Sequence, residues 1–212
     1  MLNISKTKLI ITSVIILIPI VAGVILWNQL PDSMVTHWGV GNVPNGWSSK
    51  EMAVFGLPAF MFVIHWVCLL VTKADPKNKN INSKMMDIVL WICPLLSLLL
   101  SAVTYAYSLG YSVNVEIIVT LFMGVLFVIV GNYLPKCKQS YTMGIKLPWT
   151  LKDEENWNKT HRLAGKLWVA GGLIMIATAF FTNVFVVIAV IVLLVIAPTV
   201  YSYMLYRKKF IK

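Results

Sequence analysis

The chain has 212 residues, of which 58% are hydrophobic and 12% are charged, and its formal net charge at pH 7 is +10. A water-soluble domain of this composition could not cover its surface with polar residues, so the composition indicates an integral membrane protein. The three cysteines, Cys68, Cys93 and Cys137, form no CxxC pair, which argues against a disulfide framework and against a zinc site.

Six apolar runs are each close to the length of about 20 residues that a helix needs to cross a bilayer. Lys6 and Lys8 precede the first run, which is longer than the apolar core of a signal peptide and is followed by no A-x-A site. The first run is therefore predicted to be a retained span. The predicted spans are Leu9–Trp27, Ala53–Thr72, Met85–Tyr107, Val115–Tyr133, Leu167–Thr182 and Val184–Tyr206.

The basic residues orient these spans. When both termini are placed on one side of the membrane, every lysine and arginine except Lys50 falls on that side. The positive-inside rule assigns that side to the cytoplasm. The sequence therefore predicts an all-α, six-transmembrane-helix bundle with both termini cytoplasmic, made of a two-span unit (1–84) and a four-span unit (85–212).

Two connections are long enough to hold a functional site. The outer loop (28–52) is rich in glycine, proline and asparagine, which predicts a turn-rich, non-helical loop. Its tryptophans, Trp38 and Trp47, are also typical of an aromatic belt at the level of the lipid headgroups. The other long connection is the inner segment (134–166).

The inner segment has a legible local pattern. Pro148 favours an extended residue before it, and Thr150 is predicted as the N-cap of a helix that starts at Leu151. Such a helix would place Trp157 and His161 on one stripe and would continue into the fifth span. One interpretation is therefore an interfacial helix that feeds a span, but this leaves the closely spaced glycine, proline and tryptophan of the preceding GIKLPWT run unexplained.

The run GNYLPKCKQSYTMGIKLPWTLKDEENWNKTHRLAG resembles the signature of the SdpI family of bacterial membrane proteins, which act in toxin immunity and signalling. Lys146 stands where that signature usually has arginine, Leu147 replaces a threonine, and Ser140 lies near a usual asparagine. The outer loop also resembles a small domain that often precedes the signature. The residues that match the signature are Gly131, Asn132, Leu134, Gly144, Ile145, Pro148, Trp149, Thr150, Leu151, Trp157, Thr160, His161 and Gly165.

The resemblance implies a bacterial cell-membrane protein that protects against a secreted, membrane-active peptide toxin. It also implies a receptor that holds a winged-helix transcriptional repressor at the membrane. The toxin is expected to meet the outer loop at His37, Trp38, Gly46 and Trp47. The repressor is expected to meet the inner segment at Asn132, Gly144, Lys146, Pro148, Trp149, Trp157, Thr160, His161 and Arg162.

Other functions have weaker sequence support. His65 lies within the second predicted span, where an ionisable residue is either functional or hydrogen-bonded between helices. No GxSxG, HExxH, P-loop or GxGxxG motif is present, so we predict no enzyme activity, catalytic residue, metal or cofactor. A general envelope-stress or transport protein, or a membrane enzyme that uses His37 and Glu51, stays an alternative. The basic charge is dispersed over several inner segments, which favours membrane lipids over nucleic acid as its partner.

Overall fold

The computed structural model describes residues 4–181 and 183–210. Six of its helices are long and apolar enough to cross a membrane, which confirms the predicted fold class of an all-α, multi-pass membrane protein. The helices are α1 (Lys6–Ile25), α2 (Leu57–Lys73), α3 (Ser83–Ser108), α4 (Val115–Tyr133), the short α5 (Pro148–Lys152), α6 (Glu154–Thr178) and α7 (Val184–Phe210).

The fifth predicted span, from Leu167, is the apolar part of a longer helix, in agreement with the predicted polar helix that continues into this span. Helix α6 already begins at Glu154, and its first three turns are polar. A search for apolar runs detects only the part of α6 from Leu167 onward, although the helical backbone hydrogen bonds are continuous from Glu154. The predicted end of this span, Thr182, lies outside the described residues.

The outer loop contains a β-hairpin that the sequence did not predict. Strand β1 (Ser33–Trp38) pairs antiparallel with β2 (Pro44–Ser49). Gly41 and Asn42 take positive φ angles of 75° and 62° in the turn, conformations that glycine and asparagine tolerate best. A π-helical turn, Met52–Gly56, then leads into α2.

The chain divides into two compact units, and the first contains α1, the hairpin, most of α2 and the greater part of α3. The boundary predicted near residue 84 stays a prediction. The core of the first unit, around the hairpin, is formed by buried apolar side chains. These core residues are Leu30, Met34, Ala53, Val54 and Tyr105.

The second unit contains the α2–α3 connection and helices α4 to α7. Helices α4 and α6 approach each other at glycines. A Cβ on Gly131 would lie 2.8 Å from the Val169 backbone nitrogen, and a Cβ on Gly172 would lie 2.5 Å from the Gly124 carbonyl oxygen. Both distances are too short for a side chain, so the two backbones touch at two levels.

Candidate functional site

The inner segment folds as a short helix, a break and a long helix. Asp153 is the break: its extended backbone ends α5, and its carboxylate accepts the Glu155 backbone N–H at 3.0 Å as the N-cap of α6. The predicted N-cap, Thr150, instead lies inside α5. Its hydroxyl accepts the Leu147 N–H at 2.9 Å, so it caps α5 from within the first turn.

Trp157 forms the centre of the inner segment. Its side chain is fully buried, and its ring stacks on His161 with the ring centroids 4.0 Å apart. The indole N–H donates to the Cys137 carbonyl oxygen at 2.7 Å. Trp157 therefore ties the first turn of α6 to the chain that leaves α4.

His161 joins the same two stretches of chain through both ring nitrogens. Its Nε2 accepts the Ile145 backbone N–H at 2.9 Å, and its Nδ1 lies 2.7 Å from the Trp157 carbonyl oxygen. A carbonyl can only accept, so Nδ1 carries the proton and the imidazole is neutral. This ring is a structural bridge in the observed conformation.

Gly144 has to be glycine at this position. Its φ is +107°, and a Cβ would lie 2.5 Å from His161 Nε2 and 2.8 Å from the Trp157 ring. The backbone therefore passes directly over the stacked rings, which explains a glycine ahead of the proline and tryptophan of the motif.

Asp75 holds the turn that precedes Gly144. Its Oδ2 accepts the backbone N–H groups of Tyr141 and Thr142, each at 2.9 Å, and the Thr142 hydroxyl at 2.7 Å. Its Oδ1 accepts the Lys77 N–H at 2.7 Å. Burial opposes ionisation of this carboxyl, but these hydrogen bonds outweigh burial and hold the pKa of Asp75 below its usual 3.8.

Gln139 forms a second link between the same connections. Its side-chain amide donates to the carbonyl oxygens of Thr150 and Leu151 at 2.8 and 2.9 Å, which satisfies the C-terminal end of α5. The Asn80 amide donates to the Gln139 carbonyl oxygen at 2.7 Å, and the Lys77 ammonium donates to its side chain. The α2–α3 connection is thus part of the site.

Ser202 of α7 connects the inner segment to the last helix. The Trp149 indole N–H donates to the Ser202 hydroxyl at 2.7 Å, and that hydroxyl donates to Asn156 Oδ1 at 2.8 Å. Asn156 returns a hydrogen bond to the Ser202 carbonyl oxygen at 2.9 Å. The Trp149 ring also packs against the rings of Tyr203 and Tyr206, with centroids 5.4 and 6.0 Å away.

The predicted partner-binding residues separate into two groups. The interior group shapes the inner segment and is not available to a partner in this conformation; it consists of Trp157, Thr160 and His161. The other group reaches the surface and consists of Asn132, Lys146, Pro148 and Arg162, which are exposed, with Gly144 and Trp149 half-buried. Whether either group binds a partner stays a prediction.

The predicted toxin-facing residues lie together on the hairpin. His37 pairs with Gly46 across the strands, and Val35 pairs with Trp47. His37 is exposed, as is 58% of Trp47. Trp38 points inward and meets the Tyr107 ring edge-on, with centroids 5.5 Å apart.

The hairpin is fixed at its base by Lys50. This lysine is buried, its ammonium donates to the Trp27 carbonyl oxygen at 3.3 Å, and it pairs with Asp32 at 3.0 Å. It also lies over the Trp27 ring, 5.2 Å from the ring centroid. The one lysine predicted on the outer side is therefore a structural residue.

His65 lies at the interface between α1 and α2. It is buried, and its Nε2 lies 3.2 Å from the Thr12 hydroxyl oxygen. This hydrogen bond between helices is one of the two interpretations that the sequence allowed, and it gives His65 a packing role.

The described residues contain no group of three or more His, Cys, Asp or Glu side chains placed to hold a metal. Burial raises the pKa of Cys137 to about 11, so its thiol is protonated at neutral pH and is a poor nucleophile.

The sequence interpretation missed Asp75, Gln139 and Ser202. Asp75 had one usable signal, because a carboxylate in an Asp-Pro turn beside several lysines is a frequent backbone acceptor. Gln139 and Ser202 had none, since their partners lie on other elements.

Three comparisons with known proteins bear on this site. Residues 136–202 match the profile of the SdpI/YfhL protein family, and residues 14–62 match a domain of unknown function (DUF1648). The chain is 34% identical over 208 residues to the Immunity protein SdpI of Bacillus subtilis (strain 168), covering 95% of this chain and 97% of that protein. No solved structure matches. A relative of this identity, aligned along almost the whole of both chains, shows that this chain belongs to the SdpI/YfhL protein family.

Proposed function

We propose that this chain makes its cell immune to a secreted, membrane-active peptide toxin. The observation that carries the proposal is its near full-length similarity to a protein named for immunity. The shared length covers 95% of this chain and includes both the outer hairpin and the inner segment.

The hairpin is the proposed toxin-binding site. Trp47 offers a large, rigid, exposed ring, and His37 adds a polar group on the neighbouring strand. Lys50 and the buried core residue Met34 hold the hairpin in place. Preorganised aromatic side chains suit peptide recognition, because little conformational freedom is lost on binding.

The inner segment is the proposed docking site for a cytoplasmic winged-helix repressor. Exposed Lys146 and Pro148 lie beside half-buried Trp149, while Trp157 and His161 fix the backbone beneath them. A partner at this position would meet positive charge from Lys146 and Arg162, so its docking surface is expected to be acidic. Toxin-dependent binding would remove the repressor from its operator.

The proposal is tested by expressing the chain in a sensitive strain and measuring survival in the toxin that the Bacillus subtilis relative resists. We expect protection by the parent chain and its loss in Trp47→Ala. Tyr111→Ala is the matched control, because Tyr111 is an aromatic residue, is 67% exposed, and lies in another predicted outer connection.

All variants are compared at equal amounts in the membrane fraction. Absence of protection by the parent chain would contradict immunity to this toxin. Equal protection by Trp47→Ala and the parent would contradict the hairpin as its binding site. Recruitment of the repressor is read separately, by fluorescence microscopy of a labelled repressor with and without toxin.

A further inference from the structure

A groove with a positively charged lining lies between α6 and α7. It has a volume of about 250 Å³, and α6 supplies all of its lining residues except one. No acidic side chain lines it in the described part of the protein. The residues of this cationic groove are Lys159, Arg162, Leu163, Lys166 and Tyr201.

The positive charge of the groove is largely uncompensated. Lys159 pairs with Glu155 at 2.7 Å, but the side chains of Arg162 and Lys166 make no ion pair or hydrogen bond within residues 4–181 and 183–210. The neighbouring cavity differs, because Lys209 there pairs with both Asp153 and Glu155, at 3.0 and 3.2 Å. The cationic groove thus retains charge for an external anion.

The basic side chains of the groove extend along α6 from its polar end to the start of its apolar part. Lys159 and Lys166 are seven residues apart, which is about 10 Å along a helix axis. The apolar part of α6 begins at the next residue, Leu167. The groove therefore lies at the depth of lipid headgroups, where long cationic side chains reach phosphate.

Apolar side chains continue from the groove toward the membrane centre. On α6, 55% of Leu173 is exposed, and Leu173 follows Lys166 by seven residues, which places both on one face of the helix. An occupant at this depth meets both a cationic pocket and an apolar helix surface. A phospholipid carries the complementary parts, a phosphate and an acyl chain, whereas free phosphate matches only the first.

We propose that the cationic groove binds the phosphate headgroup of an anionic phospholipid from the cytoplasmic leaflet. Arg162 provides a planar pair of donors for phosphate oxygens, Lys166 provides a second positive charge, and the Tyr201 hydroxyl provides a neutral donor. One lipid is bound per chain at this site, in addition to the lipids that exchange around the helices.

The test uses the full-length chain purified in detergent and titrated with phosphatidylglycerol, with bound lipids counted by native mass spectrometry. Phosphatidylcholine is the reference lipid. We expect one tightly held phosphatidylglycerol per chain, and an affinity about 30-fold lower in the double variant Arg162→Gln, Lys166→Gln. The exchanged variant Arg162→Lys, Lys166→Arg keeps both charges and is expected to stay within about threefold of the parent.

The matched control is Lys73→Gln, Lys84→Gln, which removes the same charge from two exposed residues on the same predicted side of the membrane. Equal losses in this control and in the groove variant would overturn the site in favour of diffuse attraction. Equal retention of phosphatidylcholine would also overturn it. Displacement of the bound lipid by millimolar inorganic phosphate would identify free phosphate as the occupant and contradict the lipid assignment.

Discussion

Asp75 and Thr142 are 67 positions apart in the chain, yet the Asp75 carboxylate accepts both the backbone N–H and the hydroxyl of Thr142. One side chain of the α2–α3 connection thereby fixes the turn that leads to Gly144. The shape of the inner segment therefore depends on Asp75, which lies outside the residues 136–202 that match the family.

Replacing Asp75 by asparagine is expected to release this turn. Asparagine has a similar shape but carries no charge, and its NH₂ group cannot accept the hydrogen bonds that one carboxylate oxygen now receives. Hydrogen–deuterium exchange at Tyr141 and Thr142 should become roughly tenfold to a hundredfold faster. Asp87→Asn, which removes the exposed pair with Lys8, is the control and should leave both amides unchanged.

The same carboxylate predicts a pH dependence. The pKa of Asp75 is lower in the folded protein than its usual 3.8, so the ionised group stabilises the fold above that value. The contribution is lost as the pH falls through the folded pKa. The difference in apparent melting temperature between the parent and Asp75→Asn should thus be large at neutral pH and should shrink as the pH falls below 3.8 and through the lower folded pKa. A difference that does not change with pH would contradict this account.

Gly144→Ala should be more destabilising than Gly110→Ala. Both glycines have positive φ, but a Cβ at Gly110 meets nothing within 4 Å, whereas one at Gly144 meets the His161 and Trp157 rings. The backbone alone costs about 1–2 kcal/mol in each variant, and the collision adds about 1–3 kcal/mol at Gly144. The melting temperatures of both variants are measured by thermal unfolding in detergent. Equal decreases in melting temperature would show that the His161 and Trp157 rings move aside.

Trp149→Ala should separate signalling from resistance. Loss of a buried interface aromatic costs roughly 2 kcal/mol or more, which lowers partner occupancy about 30-fold. Recruitment of the repressor is therefore expected to fail while survival in toxin persists. Trp168→Ala is the control, because Trp168 of α6, like Trp149 of α5, donates a hydrogen bond to α7, in this case to the Leu194 carbonyl oxygen at 3.1 Å.

If Trp149 only held the helices together, both variants would lose recruitment and survival alike, and their amounts in the membrane would fall. Full recruitment by Trp149→Ala at normal membrane levels would remove this residue from the docking site.

The predicted topology places the hairpin outside and the start of α6 inside. A cysteine at position 43 should react with a membrane-impermeant maleimide in intact cells, and a cysteine at position 158 should react only after the cells are opened. Val43 and Asn158 are exposed and their side chains make no hydrogen bond within the described residues. The parent chain gives the background from its own three cysteines. Labelling of position 158 from outside would reverse the orientation.

Much of the transmembrane architecture followed from hydropathy and charge. The predicted starts of the fourth and last spans, Val115 and Val184, coincide with the observed helix starts, because apolar runs there begin sharply after polar residues. The fifth predicted span covers only the apolar part of α6, because the first turns of that helix, from Glu154 onward, are polar. Hydropathy reports the surroundings of a helix and does not report where its hydrogen bonds begin.

The site was less predictable than the spans. The resemblance selected Gly144, Trp157 and His161, but it did not show that two of them are interior residues. The hairpin escaped prediction because its second strand starts at Pro44 and contains Gly46, both of which usually interrupt strands. Asp75 escaped because a contact between distant connections leaves no periodic pattern in the sequence.

The unbroken course of α6 has a mechanical consequence. The helix has 25 residues and contains no proline, so it is a stiff rod of about 37 Å. A tilt of about 5° pivoting at its Thr178 end would move its Glu154 end by about 3 Å. Trp157 and His161 ride on that moving end, while Ile145 and Cys137 do not. A small change in the tilt of α6 within the membrane would therefore lengthen the hydrogen bonds that hold the inner segment enough to break them.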